Sequence, residues 1–114
     1  MAQTTDTRPA SRLAGQEFLV EITVRWPPDG DQARRDELIA AESRRASELA
    51  DAGIIRRLWR IPGRWANVGL WCAPDATALH AAISTLPFFP WLEVTVRPLA
   101  AHPSDPGPGP GQSW

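Results

Sequence analysis

From Phe18 onward the chain alternates. Phe18, Val20, Ile22, Val24 and Trp26 are apolar, and Leu19, Glu21, Thr23 and Arg25 stand between them, the period-two signature of a strand with two unlike faces. Pro27 and Pro28 close that strand. Asp31 is placed to cap a helix that runs to about Ala52, and Gly53 supplies the permissive backbone expected just past a helix end. Residues 54–61 give a second strand, Pro62-Gly63 a tight turn and residues 65–72 a third strand, so the two form a hairpin. Pro74-Asp75 opens a second helix through about Thr85, and residues 91–99 give a fourth strand. The order βαββαβ predicts an α+β fold, a ferredoxin-like sandwich in which a four-stranded antiparallel sheet carries two helices on one face.

The other face has to find its own cover. On the first strand it carries Glu21, Thr23 and Arg25. On the fourth, Trp91, Glu93, Thr95 and Arg97 alternate against Leu92, Val94 and Val96, and Trp71 and Trp91 are expected on this helix-free face beside the charges. A surface so mixed predicts a homo-oligomer paired through the sheet; the alternative is a monomer with a wet, polar sheet face.

With 114 residues and 43% hydrophobic content, the chain can bury one modest core, which predicts one domain over residues 17–102. Residues 1–16 have no apolar period, and residues 103–114 interleave Pro103, Pro106, Pro108 and Pro110 with Gly107, Gly109 and Gly111. Both ends are expected to be flexible extensions, the alternative being Trp114 as a docking anchor. A net charge of -1 with dispersed arginines gives no basic surface for nucleic acid. Without an apolar run near the ~20 residues of a membrane span, and with no apolar centre in residues 1–16, neither membrane nor export is expected. A single cysteine, Cys72, suits a reducing compartment, and the expected location is cytoplasmic. All twelve basic residues are arginine, which removes Schiff-base and Walker-lysine chemistry.

One acidic residue stands out. At roughly 100° per residue, Leu38 and Leu49 lie within about 20° of each other on the first helix, and Glu42 falls about 20° beyond Leu49. A carboxylate on that stripe is either a solvated edge residue, a partner of Arg45, or a desolvated base with a raised pKa.

Two segments carry a more specific signal: Leu58-Trp59-Arg60-Ile61-Pro62-Gly63-Arg64-Trp65-Ala66-Asn67 and, downstream, Leu86-Pro87-Phe88-Phe89-Pro90-Trp91, with His80 between them. Together they resemble the muconolactone Δ-isomerases over roughly residues 17–102. The resemblance implies a subunit of the dimeric α+β barrel type, assembled as a dimer and in that family as a decamer. It implies a cofactor-free isomerase that shifts a ring double bond in muconolactone or a related small lactone during aromatic catabolism, with no metal. Glu42 matches a glutamate at the same distance before the LWRI segment and is expected to carry the proton. Asn67, in the AN pair, can donate to a developing dienolate oxygen, the plainer account being a satisfied strand-end amide. Arg60 can clamp a carboxylate or form an inter-subunit ion pair. Trp65, Trp59 and Glu21 complete the expected substrate-binding set, although tryptophans also serve core and interface packing.

The chain departs from the family pattern around this pocket. Trp65 replaces the usual tyrosine, Arg64 a histidine, Glu21 a basic residue and Ile55 an aromatic, and the chain has no tyrosine at all. A changed substrate follows as an expectation. The alternative function is a small-molecule-binding accessory protein or cofactor-independent oxygenase of an aromatic or polyketide pathway on the same fold. His80 is expected on a helix surface, and His102 has no assigned role.

Overall fold

The structure, a computed structural model, describes residues 15–107. Four strands, β1 (Gln16–Val24), β2 (Ile55–Arg60), β3 (Ala66–Ala73) and β4 (Leu92–Leu99), and two helices, α1 (Gln32–Asp51) and α2 (Ala76–Ser84), follow the predicted order, with a 3₁₀ turn over Phe89–Trp91 before β4. The sheet runs β2-β3-β1-β4 and every neighbouring pair is antiparallel. This is the ferredoxin-like arrangement. Residues 1–14 and 108–114 lie outside the described residues, and with them Trp114 and most of both expected extensions. β1 starts at Gln16, one residue before the expected domain edge, because Gln16 pairs with Ala73 and its Nε2 donates to the Leu99 carbonyl at 2.8 Å.

Local chemistry sets the element ends. The Asp31 carboxylate accepts from the Ala33 N–H at 3.0 Å and the Asp75 carboxylate from the Ala78 N–H at 2.8 Å, each satisfying a donor that the helix start leaves without a partner. Gly53, at φ 80°, takes the left-handed conformation that turns the chain out of α1 into β2.

Register settles the faces. Phe18, Val20 and Ile22 of β1 stand opposite Trp71, Gly69 and Asn67 of β3 and opposite Pro98, Val96 and Val94 of β4, and residues directly opposite share a face. Phe18, Val20, Ile22, Trp71 and Ala73 pack with Ile55, Leu49, Leu79, Ile83 and Leu86 in one core between sheet and helices. Two expectations are thereby corrected. Trp71 is not on the helix-free face: it is 1% exposed and among the largest fully buried side chains. Trp91 is not on a strand: Pro90 sets a 3₁₀ turn that interrupts the alternation, and the Trp91 ring packs against Trp26 at 4.9 Å and Phe88 at 6.3 Å.

The helix-free face keeps Glu21 and Thr23 of β1 and Glu93, Thr95 and Arg97 of β4 as expected. Arg25 pairs with Glu93 at 2.9 Å. Its apolar content differs from the expectation, with Leu19, Val68 and Leu70 half-buried and Trp59 and Leu99 exposed. Among the described residues no helix is long and apolar enough to cross a membrane.

Candidate active site

Glu42 sits on the inner stripe of α1, half-buried, in the helix that supplies Leu38 and Leu49 to the interior. Its carboxylate is not paired with Arg45, which donates instead to Glu48 and Thr85, both at 2.8 Å. The Phe88 N–H donates to Glu42 Oε1 at 3.0 Å. That N–H belongs to the loop after α2, so the Leu86-Pro87-Phe88 segment fixes the carboxylate from the far side of the fold. Burial raises the Glu42 pKa above the ordinary carboxylate range, and the Phe88 hydrogen bond offsets only part of the rise. The carboxyl therefore has one oxygen oriented and the other available, with a basicity above that of a solvated glutamate.

Phe88 also connects the carboxylate to the sheet. Its ring meets the Trp65 ring edge-to-face at 5.3 Å, and Trp65, with Arg60, Ala66 and Asn67, lines a cleft of about 180 Å³ where β3 begins. Asn67 faces the helices, since it stands opposite the core residue Ile22. Its Oδ1 is buried without a hydrogen-bond partner among the described residues, an expensive state that a bound polar group relieves. A half-turn of the carboxamide exchanges its two ends, so the same position can present an N–H to an oxyanion. Arg60 is opposite Asn67 at the end of edge strand β2 and exposed.

The structure thus brings Glu42, Asn67, Arg60 and Trp65 to the helix side of one sheet end. It does not bring Glu21 and Trp59 there. Both stand opposite Val68, on the helix-free face, where the Arg57 guanidinium lies 4.9 Å from the Trp59 ring. His80 is exposed on α2, 6.0 Å from the Phe89 ring. Among the described residues no cluster of three or more His, Cys, Asp and Glu could hold a metal ion.

Sequence reasoning passed over Arg35. Its guanidinium lies 4.9 Å above the Trp65 ring. The signal was available, because positions seven apart on a helix share a face to within about 20°, and Arg35 precedes Glu42 by seven.

Chemically, the site offers a desolvated carboxylate, an amide and cationic side chains beside an aromatic wall. That set suits proton transfer within a small oxygenated anion. Comparison with known proteins points the same way. A family model described as muconolactone delta-isomerase matches residues 16–105. Muconolactone Delta-isomerase 2 of Acinetobacter lwoffii is 40% identical over 87 residues, covering 76% of this chain and 91% of the relative. Muconolactone Delta-isomerase of Pseudomonas aeruginosa is 39% identical over the same shares. A crystal structure of muconolactone isomerase superposes with a TM-score of 0.75 at 38% identity, covering 82% of this chain and 97% of that one.

Proposed function

As the chain belongs to the muconolactone Δ-isomerase family, we propose that it isomerises muconolactone, or a lactone acid differing from it at the ring periphery, by moving one proton. Ionised Glu42 takes the proton from the ring carbon γ to the lactone carbonyl. The electron pair left behind spreads through the ring double bond to the carbonyl oxygen as a dienolate. The Glu42 carboxyl then returns the proton to the α carbon, so the double bond has moved and nothing has been oxidised or reduced. This sequence calls on no cofactor. Asn67 donates to the dienolate oxygen, where charge develops.

The observation that carries this reading is the half-buried Glu42 carboxylate, with one oxygen held by the Phe88 N–H and its pKa raised by burial. A base whose pKa lies nearer the working pH transfers protons more effectively in both directions. Trp65 lines the cleft where the resemblance expects a tyrosine, which supports a periphery different from that of the relatives. The test is purified protein with muconolactone in D₂O, followed by NMR. The expected result is conversion to the isomer with the shifted double bond; an unchanged spectrum at high enzyme concentration removes muconolactone as the substrate.

We also place the helix-free face against a second copy of the chain, giving a homodimer or a larger assembly of such dimers. Trp59 at 41% and Leu99 at 36% exposure, next to Leu19, Val68 and Leu70, form an apolar area that one subunit leaves open. Multi-angle light scattering at micromolar concentration should give at least twice the subunit mass, and a monomer mass would refute the pairing. A single cysteine in the chain, the buried Cys72, supports a cytoplasmic location.

A further inference from the structure

We propose that Arg35 is the anchor for the free carboxylate of the substrate, an inference that rests on the lactone-acid reading above. A lactone formed from a dicarboxylic acid keeps one carboxylate. In muconolactone that carboxylate hangs by one methylene from the same γ carbon that loses its proton. Whatever grips it must therefore stand near the γ-carbon end of the ring, within reach of the same end as the base, while the lactone carbonyl points to the other end of the pocket.

Arg35 meets that requirement. It shares the inner stripe of α1 with Glu42, two turns nearer the helix start, which separates their Cα atoms by about 10 Å along the axis, a gap that two inward-leaning side chains can close around a small molecule. Its guanidinium packs over the Trp65 ring that lines the cleft. Stacking of this kind covers the flat face and leaves the N–H edges for bidentate contact with a carboxylate. Those edges are underused: among the described residues the one carboxylate near Arg35 is the adjacent Asp36 at 3.9 Å, too long for a hydrogen bond, whereas Arg25 and Arg45 reach their carboxylates at 2.9 and 2.8 Å. At 34% exposure the side chain is screened enough to strengthen an ion pair and open enough to receive one. Arg60 is on the Asn67 side, next to the oxygen that gains charge.

The experiment separates binding from turnover. The saturated γ-lactone bearing an acetate arm cannot isomerise, so its affinity and that of its methyl ester are measured by calorimetry on wild type, Arg35→Gln, Arg35→Lys, Arg60→Gln and the control Arg44→Gln, which changes an exposed arginine on the opposite face of α1. Wild type and Arg44→Gln should prefer the acid by at least ~10-fold; Arg35→Gln should lose that preference and Arg35→Lys regain part of it. With muconolactone, Arg35→Gln should raise KM by a similar factor and leave kcat within about threefold, the mark of uniform binding. Acid preference persisting in Arg35→Gln, its loss in Arg60→Gln instead, or equal binding of acid and ester by wild type would each overturn the proposal. Wild type that prefers the acid but does not turn over muconolactone would remove muconolactone as the substrate and leave the anchor standing.

Discussion

Replacing Glu42 by Gln should lower turnover by at least the ~100-fold typical of a lost general base, with fold and assembly intact. Gln keeps the side-chain volume and an oxygen that can accept from the Phe88 N–H, so geometry is retained and only the basic oxygen is removed. Stability should hold or rise. A carboxyl whose folded-state pKa is raised contributes stability that is fully present below its unfolded pKa and is lost as pH rises through the folded value. Burial raises the Glu42 pKa, so wild type bears this loss near neutral pH and Gln does not. The Tm advantage of Glu42→Gln should then be largest near neutrality and vanish below the ordinary carboxylate range. In the wild type the same shift places the rising limb of kcat against pH above where a solvated glutamate would put it. Retention of most of the turnover in Glu42→Gln would exclude this carboxyl as the base, and a Tm advantage that grows on acidification would show that the carboxyl is stabilised in its ionised form.

Elements whose determinants are local were legible in the chain. Strand alternation in β1, the Asp31 and Asp75 caps, and the turns at Gly53 and Gly63 each depend on a few neighbouring residues, and each element was placed to within about two residues. What failed depends on pairing. β3 reads Ala66-Asn67-Val68-Gly69-Leu70-Trp71-Cys72-Ala73, apolar on both faces, so its sequence has no polar side to orient it; the register Phe18 opposite Trp71 decides, and β1 lies more than forty residues away in sequence. The same register sends Asn67 to the helix side and Val68, with Trp59 and Glu21 opposite it, to the other. Glu42 was visible because a charged residue on an apolar stripe is a local anomaly. Arg35 obeyed the same periodicity but stands in the first turns of a helix, beside Arg34 and Asp36, where a charge gives no contrast. Its contact with Trp65 joins a helix to the bend before β3, thirty residues on, and exists only in the fold.

Trp71→Ala should be the most destabilising single change in this chain, costing about 3–5 kcal/mol for removal of a buried tryptophan, which for a domain of this size lowers Tm by well over ~10 °C. Trp71→Phe should cost far less, because it keeps most of the ring. It also deletes an Nε1–H that is buried without a hydrogen-bond partner among the described residues, and such a group is a liability of about 1–3 kcal/mol. Gly69 tests the packing around that ring. A Cβ there would lie 2.7 Å from Leu58 Cδ2, 2.9 Å from Trp71 Nε1 and 3.1 Å from the Arg57 carbonyl, so Gly69→Ala should destabilise wild type by about 1–3 kcal/mol through overpacking. In the Trp71→Phe background the nearest ring atom is gone, and the cost should fall, a coupling that a double-mutant cycle measures directly. Denaturant titrations of wild type, Trp71→Ala, Trp71→Phe, Gly69→Ala and the double variant at one fixed chain concentration settle the matter. If Trp71→Ala costs under ~1 kcal/mol, the size of an ordinary surface change, Trp71 faces away from the helices, and the register that also aims Asn67 at the cleft would be wrong with it.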